Sequence, residues 1–220
     1  MRIKNAGDIM KKIAMALCVL IQVALHGITP DEALKTLMEG NQRFSQNKSL
    51  HLDRTSERRQ ELISKQAPYA VILGCSDSRV APEILFDQGI GDLFIVRVAG
   101  NVVGPLEQDS VEYSALYLNS SILMVLGHEN CGAIDAVLAG TTKDIESVAE
   151  LLQPAADATK KETANRLETT IKTNAKMMAD QLRKSPVLSD LIAKKKFDVV
   201  AAYYNFHTGK VELLEEAKKK

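Results

Sequence analysis

The chain has 220 residues, 45% apolar and 25% charged, which is ordinary globular composition and enough for one domain with a sizeable core. Its 28 basic and 28 acidic side chains leave a formal net charge of zero. That balance removes any compositional case for nucleic-acid binding or for an electrostatic hold on a membrane surface.

Residues 1–27 do not read like the rest. Lys11-Lys12 precede an apolar stretch, Ile13 to Leu25, interrupted by Gln22 and followed by His26-Gly27. This matches the charged, apolar and small-residue regions of a secretory signal peptide, and the stretch is short for a transmembrane helix. The expectation is a signal peptide over 1–27, a single domain over 28–220, and a periplasmic or secreted protein. The alternative is a helix packed on a partner subunit of a cytoplasmic protein. Cys18 lacks the small residues that precede a lipidated cysteine, so no membrane anchor is expected.

Thr29-Pro30-Asp31-Glu32 opens a helix with a capping box and Pro at the first helical position. Ala33, Leu34, Leu37 and Met38 give that helix one apolar face, and Gly40 loosens its end. Arg54 to Lys65 is a second, strongly charged helical stretch, and His51 between them reads as a surface residue. Strand, loop and helix then alternate: strand Tyr69 to Leu73, helix Pro82 to Phe86, strand Leu93 to Val98, helix Leu106 to Leu118, strand Ile122 to Leu126, helix Cys131 to Leu138 with Gly140 as its cap. Thr142 to Lys184 is helical and polar, interrupted by Pro154, with Met177, Met178 and Leu182 as core or subunit contact. Phe197 to Tyr203 is a fourth strand, and Val211 to Leu214 a short edge strand after a turn. The fold class predicted is α/β: four parallel strands plus a short edge strand, flanked by helices, with an N-terminal helical arm.

Two strand ends carry the chemistry. The first apolar run delivers Gly74-Cys75-Ser76-Asp77-Ser78-Arg79, and the third delivers Gly127-His128-Glu129-Asn130-Cys131-Gly132. Parallel strands of one sheet bring their carboxyl ends side by side, where open α/β sheets place ligands. Cys75 would then meet His128 and Cys131, a ligand set suited to Zn²⁺ with a fourth position open, as in catalytic zinc sites. Asp77 and Arg79 would form a carboxylate-guanidinium pair beside the metal. Cys131, near a helix N-terminus, would favour thiolate, and Gly132 would offer a backbone N–H close by. Each residue also has a plainer reading. Cys75 and Cys131 could join in a disulfide in an exported protein, Asp77 and Arg79 could be a loop salt bridge, and Glu129 and Asn130 could only orient their loop. His207, in the last turn, is a surface residue or a proton relay.

Taken together, Cys75-Ser76-Asp77-Ser78-Arg79 and His128-x-x-Cys131-Gly132, about fifty residues apart, resemble the β-class carbonic anhydrases. The similarity extends through Asp92-Leu93-Phe94-Ile95-Val96-Arg97-Val98-Ala99-Gly100-Asn101 and through Ala202 to Val211, and so covers nearly everything after about residue 30. The resemblance implies one Zn²⁺ per chain on Cys75, His128 and Cys131, and reversible hydration of CO₂ to bicarbonate and a proton through a zinc-bound hydroxide. It implies Asp77 and Arg79 as catalytic residues, Gly132 as a bicarbonate donor, and a homodimer or homotetramer. In some relatives the equivalent of Asp77 closes onto zinc, linked to a bicarbonate pocket with a Trp three residues before the first Cys. Here that position is Ile72 and the chain has no Trp, so an open site is expected. The rival readings are a COS/CS₂ hydrolase on the same scaffold and a non-catalytic zinc- or bicarbonate-binding protein.

Overall fold

The structure, a computed structural model, describes residues 27–214; the expected export segment up to His26, with Cys18, and the terminal Lys218-Lys219-Lys220 lie outside them. Nine helices and five strands are present among the described residues: α1 Pro30–Ser45, α2 Ser56–Glu61, β1 Ala70–Gly74, α3 Pro82–Leu85, β2 Leu93–Arg97, α4 Pro105–Tyr117, β3 Ile122–His128, α5 Gly132–Ala139, α6 Glu146–Ala158, α7 Arg166–Arg183, α8 Pro186–Ala193, β4 Asp198–Tyr204 and β5 Val211–Leu213. That count of helices includes the three-residue 3₁₀ turn Ala99–Asn101. The strands form one sheet in the order β2-β1-β3-β4-β5, parallel except for the antiparallel β5.

β1 and β3 read as unbroken apolar runs because both of their faces are covered, and every residue of each is buried. One face packs on α4 to α8 through Leu73, Val125, Ile134, Leu152, Ile171 and Leu182. The other packs on α1 and α3 through Leu37, Ile72, Leu85, Phe86, Met124 and Leu126. In the β1/β3 register Gly74 lies opposite Leu126, so β3 runs two residues further, to His128. The strand predicted to stop at Leu126 therefore carries its histidine as its own last residue.

The capping box of α1 is present: Glu32 N–H donates to Thr29 Oγ1, and Thr29 N–H donates to the Glu32 carboxylate at 2.9 Å. Gly40 does not loosen that helix, which continues to Ser45. It permits close approach instead, since a Cβ there would stand 1.8 Å from the Phe86 carbonyl oxygen. The neighbouring Asn41, also buried, donates to the Leu85 and Gly209 carbonyls and accepts from Val211 N–H, tying α1 to α3 and β5. The charged stretch 54–65 forms only the short α2, for it buries no residue that would stabilise a longer helix. Pro154 sits inside α6 without interrupting it. It lies on the exposed side, where water reaches the carbonyl whose partner N–H proline lacks. The polar stretch breaks instead at 159–165, between α6 and α7, and α8 is an additional helix, capped by Ser185 with Pro186 at its first position.

Asp87 anchors the segment after α1. Its side chain, fully shielded from solvent, accepts from Arg43 Nε at 2.7 Å and from the backbone N–H groups of Leu50 and His51. Burial pushes its pKa up, but the Leu50 and His51 amides and the Arg43 guanidinium outweigh burial and hold it below the ordinary value. A lowered folded-state pKa stabilises the protein above the unfolded value of about 3.9, and this contribution is lost as pH falls through the folded value. Asp87→Asn keeps the side-chain shape and tolerates the positive φ of 49° at this position. It is expected to cost about 2 kcal/mol in urea unfolding at neutral pH. The gap between variant and wild type should close as pH falls below the carboxylate range; a gap that persists unchanged in acid would contradict the role given to the Asp87 charge.

Candidate metal centre

The site lies at the carboxyl ends of β1 and β3. Cys75 is the first residue past β1, His128 the last of β3, and Cys131 the N-cap of α5. Their ligand atoms all lie within 4.8 Å of one another, and the exposures are 5% for Cys75, 0% for His128 and 1% for Cys131. Both thiols are free, so the disulfide alternative does not occur.

The histidine tautomer follows from its neighbour. His128 Nδ1 lies 2.9 Å from the Glu129 carbonyl oxygen, which can only accept, so Nδ1 carries the hydrogen and Nε2 presents a lone pair. Nε2 is buried and has no hydrogen-bond partner. A buried unpartnered imidazole nitrogen beside two thiols is a costly arrangement in an empty protein and a satisfied one around a metal ion. Two sulfurs and one imidazole are the donor set of a zinc site, compact enough for bonds of about 2.0–2.3 Å.

The two thiols behave as one titrating pair. A hydrogen bond from Cys131 favours the Cys75 thiolate against the opposing effect of burial, with further help from the Gly100 N–H, which donates to Cys75 Sγ at 3.3 Å. The Cys75 sulfur and burial both push Cys131 upward. Without a metal Cys131 therefore holds its proton more tightly than Cys75. A divalent cation removes the reason to retain it, because it stabilises both thiolates.

Asp77 and Arg79 are paired as the sequence suggested. Arg79 donates from Nε and its backbone N–H to Asp77 Oδ1, both at 2.9 Å, and from Nη2 to Oδ2 at 2.7 Å. The Asp77 side chain is 16% exposed, and Oδ2 lies 3.9 Å from His128 Nε2, too far for a hydrogen bond. The Arg79 side chain, before all else, draws the Asp77 pKa down to about 2. Gly132 opens α5, and a Cβ built on it would meet nothing within 4 Å, so neither packing nor a strained backbone requires glycine there.

Three contributors carried no sequence-level role. Arg97, at the end of β2, donates to the Cys75 carbonyl at 3.0 Å and to the Asp77 carbonyl at 2.6 Å, holding the loop from the next strand. The Arg79 guanidinium lies 4.3 Å from the Phe206 ring centre, and the His128 ring lies 5.4 Å from it. Gly100 supplies the N–H to Cys75. All three sit inside the stretches quoted for the family resemblance, so the signal was present although no chemistry marked these residues. Glu129 and Asn130 do orient the loop: Glu129 accepts from Phe206 N–H and pairs with His207 at 2.8 Å, and the Asn130 carbonyl accepts from Arg79. The His207 side chain is 77% exposed and His51 is exposed too, as expected for surface residues.

The family model described as carbonic anhydrase matches residues 70–211. Carbonic anhydrase 2 of Mycobacterium tuberculosis is 36% identical over 191 residues, covering 84% of this chain and 92% of that protein. A carbonic anhydrase of Pseudomonas aeruginosa is 31% identical over 173 residues, 72% of this chain and 79% of that one. Among solved structures, the Coccomyxa β-carbonic anhydrase in complex with acetazolamide superposes with a TM-score of 0.64 at 25% identity, covering 82% of this chain and 86% of that one. A β-carbonic anhydrase of Aspergillus fumigatus shares the fold with a TM-score of 0.67 at 21% identity, over 94% and 92% of the two chains.

If the guanidinium is what keeps Asp77 ionised, Arg79→Gln raises the Asp77 pKa from about 2 toward the ordinary value of about 3.9. Carboxyl ¹³C NMR of metal-free protein across acid pH reads this directly; an unmoved titration would assign the shift to another cause.

Proposed function

This chain belongs to the β-class carbonic anhydrases and is an enzyme of that kind, and on that premise we propose that Cys75, His128 and Cys131 hold one zinc ion with which it interconverts CO₂ and bicarbonate. The observation that carries the zinc assignment is the buried, unpartnered Nε2 of His128 beside two free thiols. When bound, zinc is a Lewis acid that makes hydroxide available near neutral pH.

The chain's own residues supply ligation, orientation and charge balance. Two thiolates and a neutral imidazole, all three buried, would hold a divalent ion and offset its charge. Asp77 remains a carboxylate throughout the neutral range, so it can only accept, and its Oδ2 would accept a hydrogen bond from the oxygen nucleophile without taking the proton. Such a contact would orient the nucleophile's lone pair toward CO₂ instead of leaving it to rotate. Arg79, braced by Phe206, keeps the Asp77 carboxylate plane fixed through its two-pronged contact. The Gly132 N–H, at the start of α5, donates to the bicarbonate oxygen that develops charge, and the open space where a side chain would stand admits it. Ile72 in place of Trp and the engagement of Asp77 by Arg79 support a site that stays open, without a bicarbonate-linked closure.

The proposal extends to a homodimer or homotetramer, supported by a tetrameric β-carbonic anhydrase of Sordaria macrospora that shares the fold at a TM-score of 0.64 and 22% identity, over 71% of this chain and 85% of that one. No described helix is long and apolar enough to cross a membrane. Export to the periplasm or beyond rests on the charged and apolar pattern of residues 1–27, and N-terminal sequencing of the protein made in its host tests it.

Stopped-flow CO₂ hydration with zinc determined in parallel tests the enzymatic reading. Asp77→Asn should retain about one zinc per chain and lose about a hundredfold in kcat/KM. Gly132→Ala should keep both zinc and melting temperature while turnover falls, since its methyl group meets only the space assigned to substrate. Full zinc with no hydration by the wild type between pH 6.5 and 9 would sink the proposal.

A further inference from the structure

Three side chains on one face of α7, Asn174, Met178 and Gln181, meet the segment that follows β2. Asn174 Nδ2 donates to the Gly100 carbonyl at 2.9 Å, Val103 N–H donates to Met178 Sδ at 3.2 Å, and Gln181 Nε2 donates to the Val103 carbonyl at 3.3 Å. Spacings of four and three residues place them in one row along the helix. Met178 therefore serves as a hydrogen-bond acceptor as well as core. Asn174 is fully buried.

Gly100 links this row to the metal centre. Its N–H donates to Cys75 Sγ at 3.3 Å while its carbonyl accepts from Asn174. Its φ is +71°, a conformation glycine adopts freely, and an added Cβ would stand 3.0 Å from a Leu152 methyl carbon. A glycine has no side chain to fix its dihedrals, so the peptide groups on either side are oriented by what they bond. Remove the Asn174 donor and a buried carbonyl is left unpaired, at a cost of about 1–3 kcal/mol. That carbonyl lies in the Gly100–Asn101 peptide, whose N–H donates to the Val98 carbonyl, and the Gly100 N–H lies in the peptide before it. The two planes hinge at Gly100, so a shift of the first that relieves the cost re-aims the second through the glycine φ and ψ and weakens the bond to sulfur.

We infer that Asn174 is a positioning residue for the ligand Cys75, acting through Gly100. The inference rests on the zinc reading given above. An N–H bonded to a thiolate draws electron density from the sulfur and restrains its direction, so losing it changes both the hold on the metal and the energy of the sulfur orbitals.

The test uses the full-length protein as wild type, Asn174→Leu and Asn174→Ala, with thermal melts to establish folding. Zinc affinity is measured by competition with a chromophoric chelator, and the thiolate-to-metal charge-transfer band is read after substitution with Co²⁺. The expected result is zinc binding weaker by about tenfold or more and a band moved to longer wavelength in both variants. A lowered melting temperature with unchanged affinity and an unchanged band would make Asn174 a structural residue only and overturn the inference. Zinc binding absent from the wild type would overturn the zinc reading and this inference together. Independently of any substitution, wild-type protein loaded with ¹¹³Cd should show scalar coupling between the metal and the Gly100 amide proton across the N–H···S bond. Its absence overturns the inference whether or not the variants fold.

Discussion

The parallel register of β1 against β3 is the constraint on which everything else depends. Gly74 opposite Leu126 leaves Cys75 just past one strand end while β3 carries His128 two positions further, so a sulfur and an imidazole from distant parts of the chain arrive together. Both strands are buried on both faces, and a shift of one residue would exchange the two apolar layers. The core therefore fixes the spacing of the ligands. A mutation that only loosens core packing is then a mutation of the metal centre as well.

Around that alignment the neighbouring strand ends brace a single loop. The Cys75 to Arg79 segment receives Arg97 from β2, the Asn130 carbonyl from the loop after β3, and the Phe206 ring from the turn after β4. Arginine suits these positions because its planar fork serves two acceptors at once and its face stacks on an aromatic ring. Asp77 is thus held ionised by a cation that is itself held, and both are set by strand order. Asn174 extends the same logic to the other face of the sheet, where a helix side chain acts on a ligand through one glycine residue.

Much of this was legible in the sequence, because apolar runs ending in Gly-Cys and Gly-His signal buried strands that stop at chemistry. The alternation of strands and helices, the capping box at Thr29 and the pairing of Asp77 with Arg79 all follow from local residue types, whereas the order of the strands in the sheet does not. What was not legible depends on approach between distant segments. Gly40 looks like a helix breaker until Phe86 is seen against it, and Pro154 looks like a break until its exposed position is known. The bonds from Asn174 and Arg97 span 74 and at most 22 residues of sequence, and nothing in an isolated Asn or Arg announces its acceptor. The ligand set was readable because metal chemistry restricts it to few residue types, whereas a backbone carbonyl accepts from almost any donor.

The most direct measurement is X-ray absorption at the zinc edge on protein as purified. The account predicts a first shell of two sulfur atoms at about 2.3 Å with one nitrogen and one lighter oxygen-type ligand at about 2.0–2.1 Å. A shell of nitrogen and oxygen alone, or of four sulfurs, would contradict the assignment of Cys75, His128 and Cys131 as the ligands.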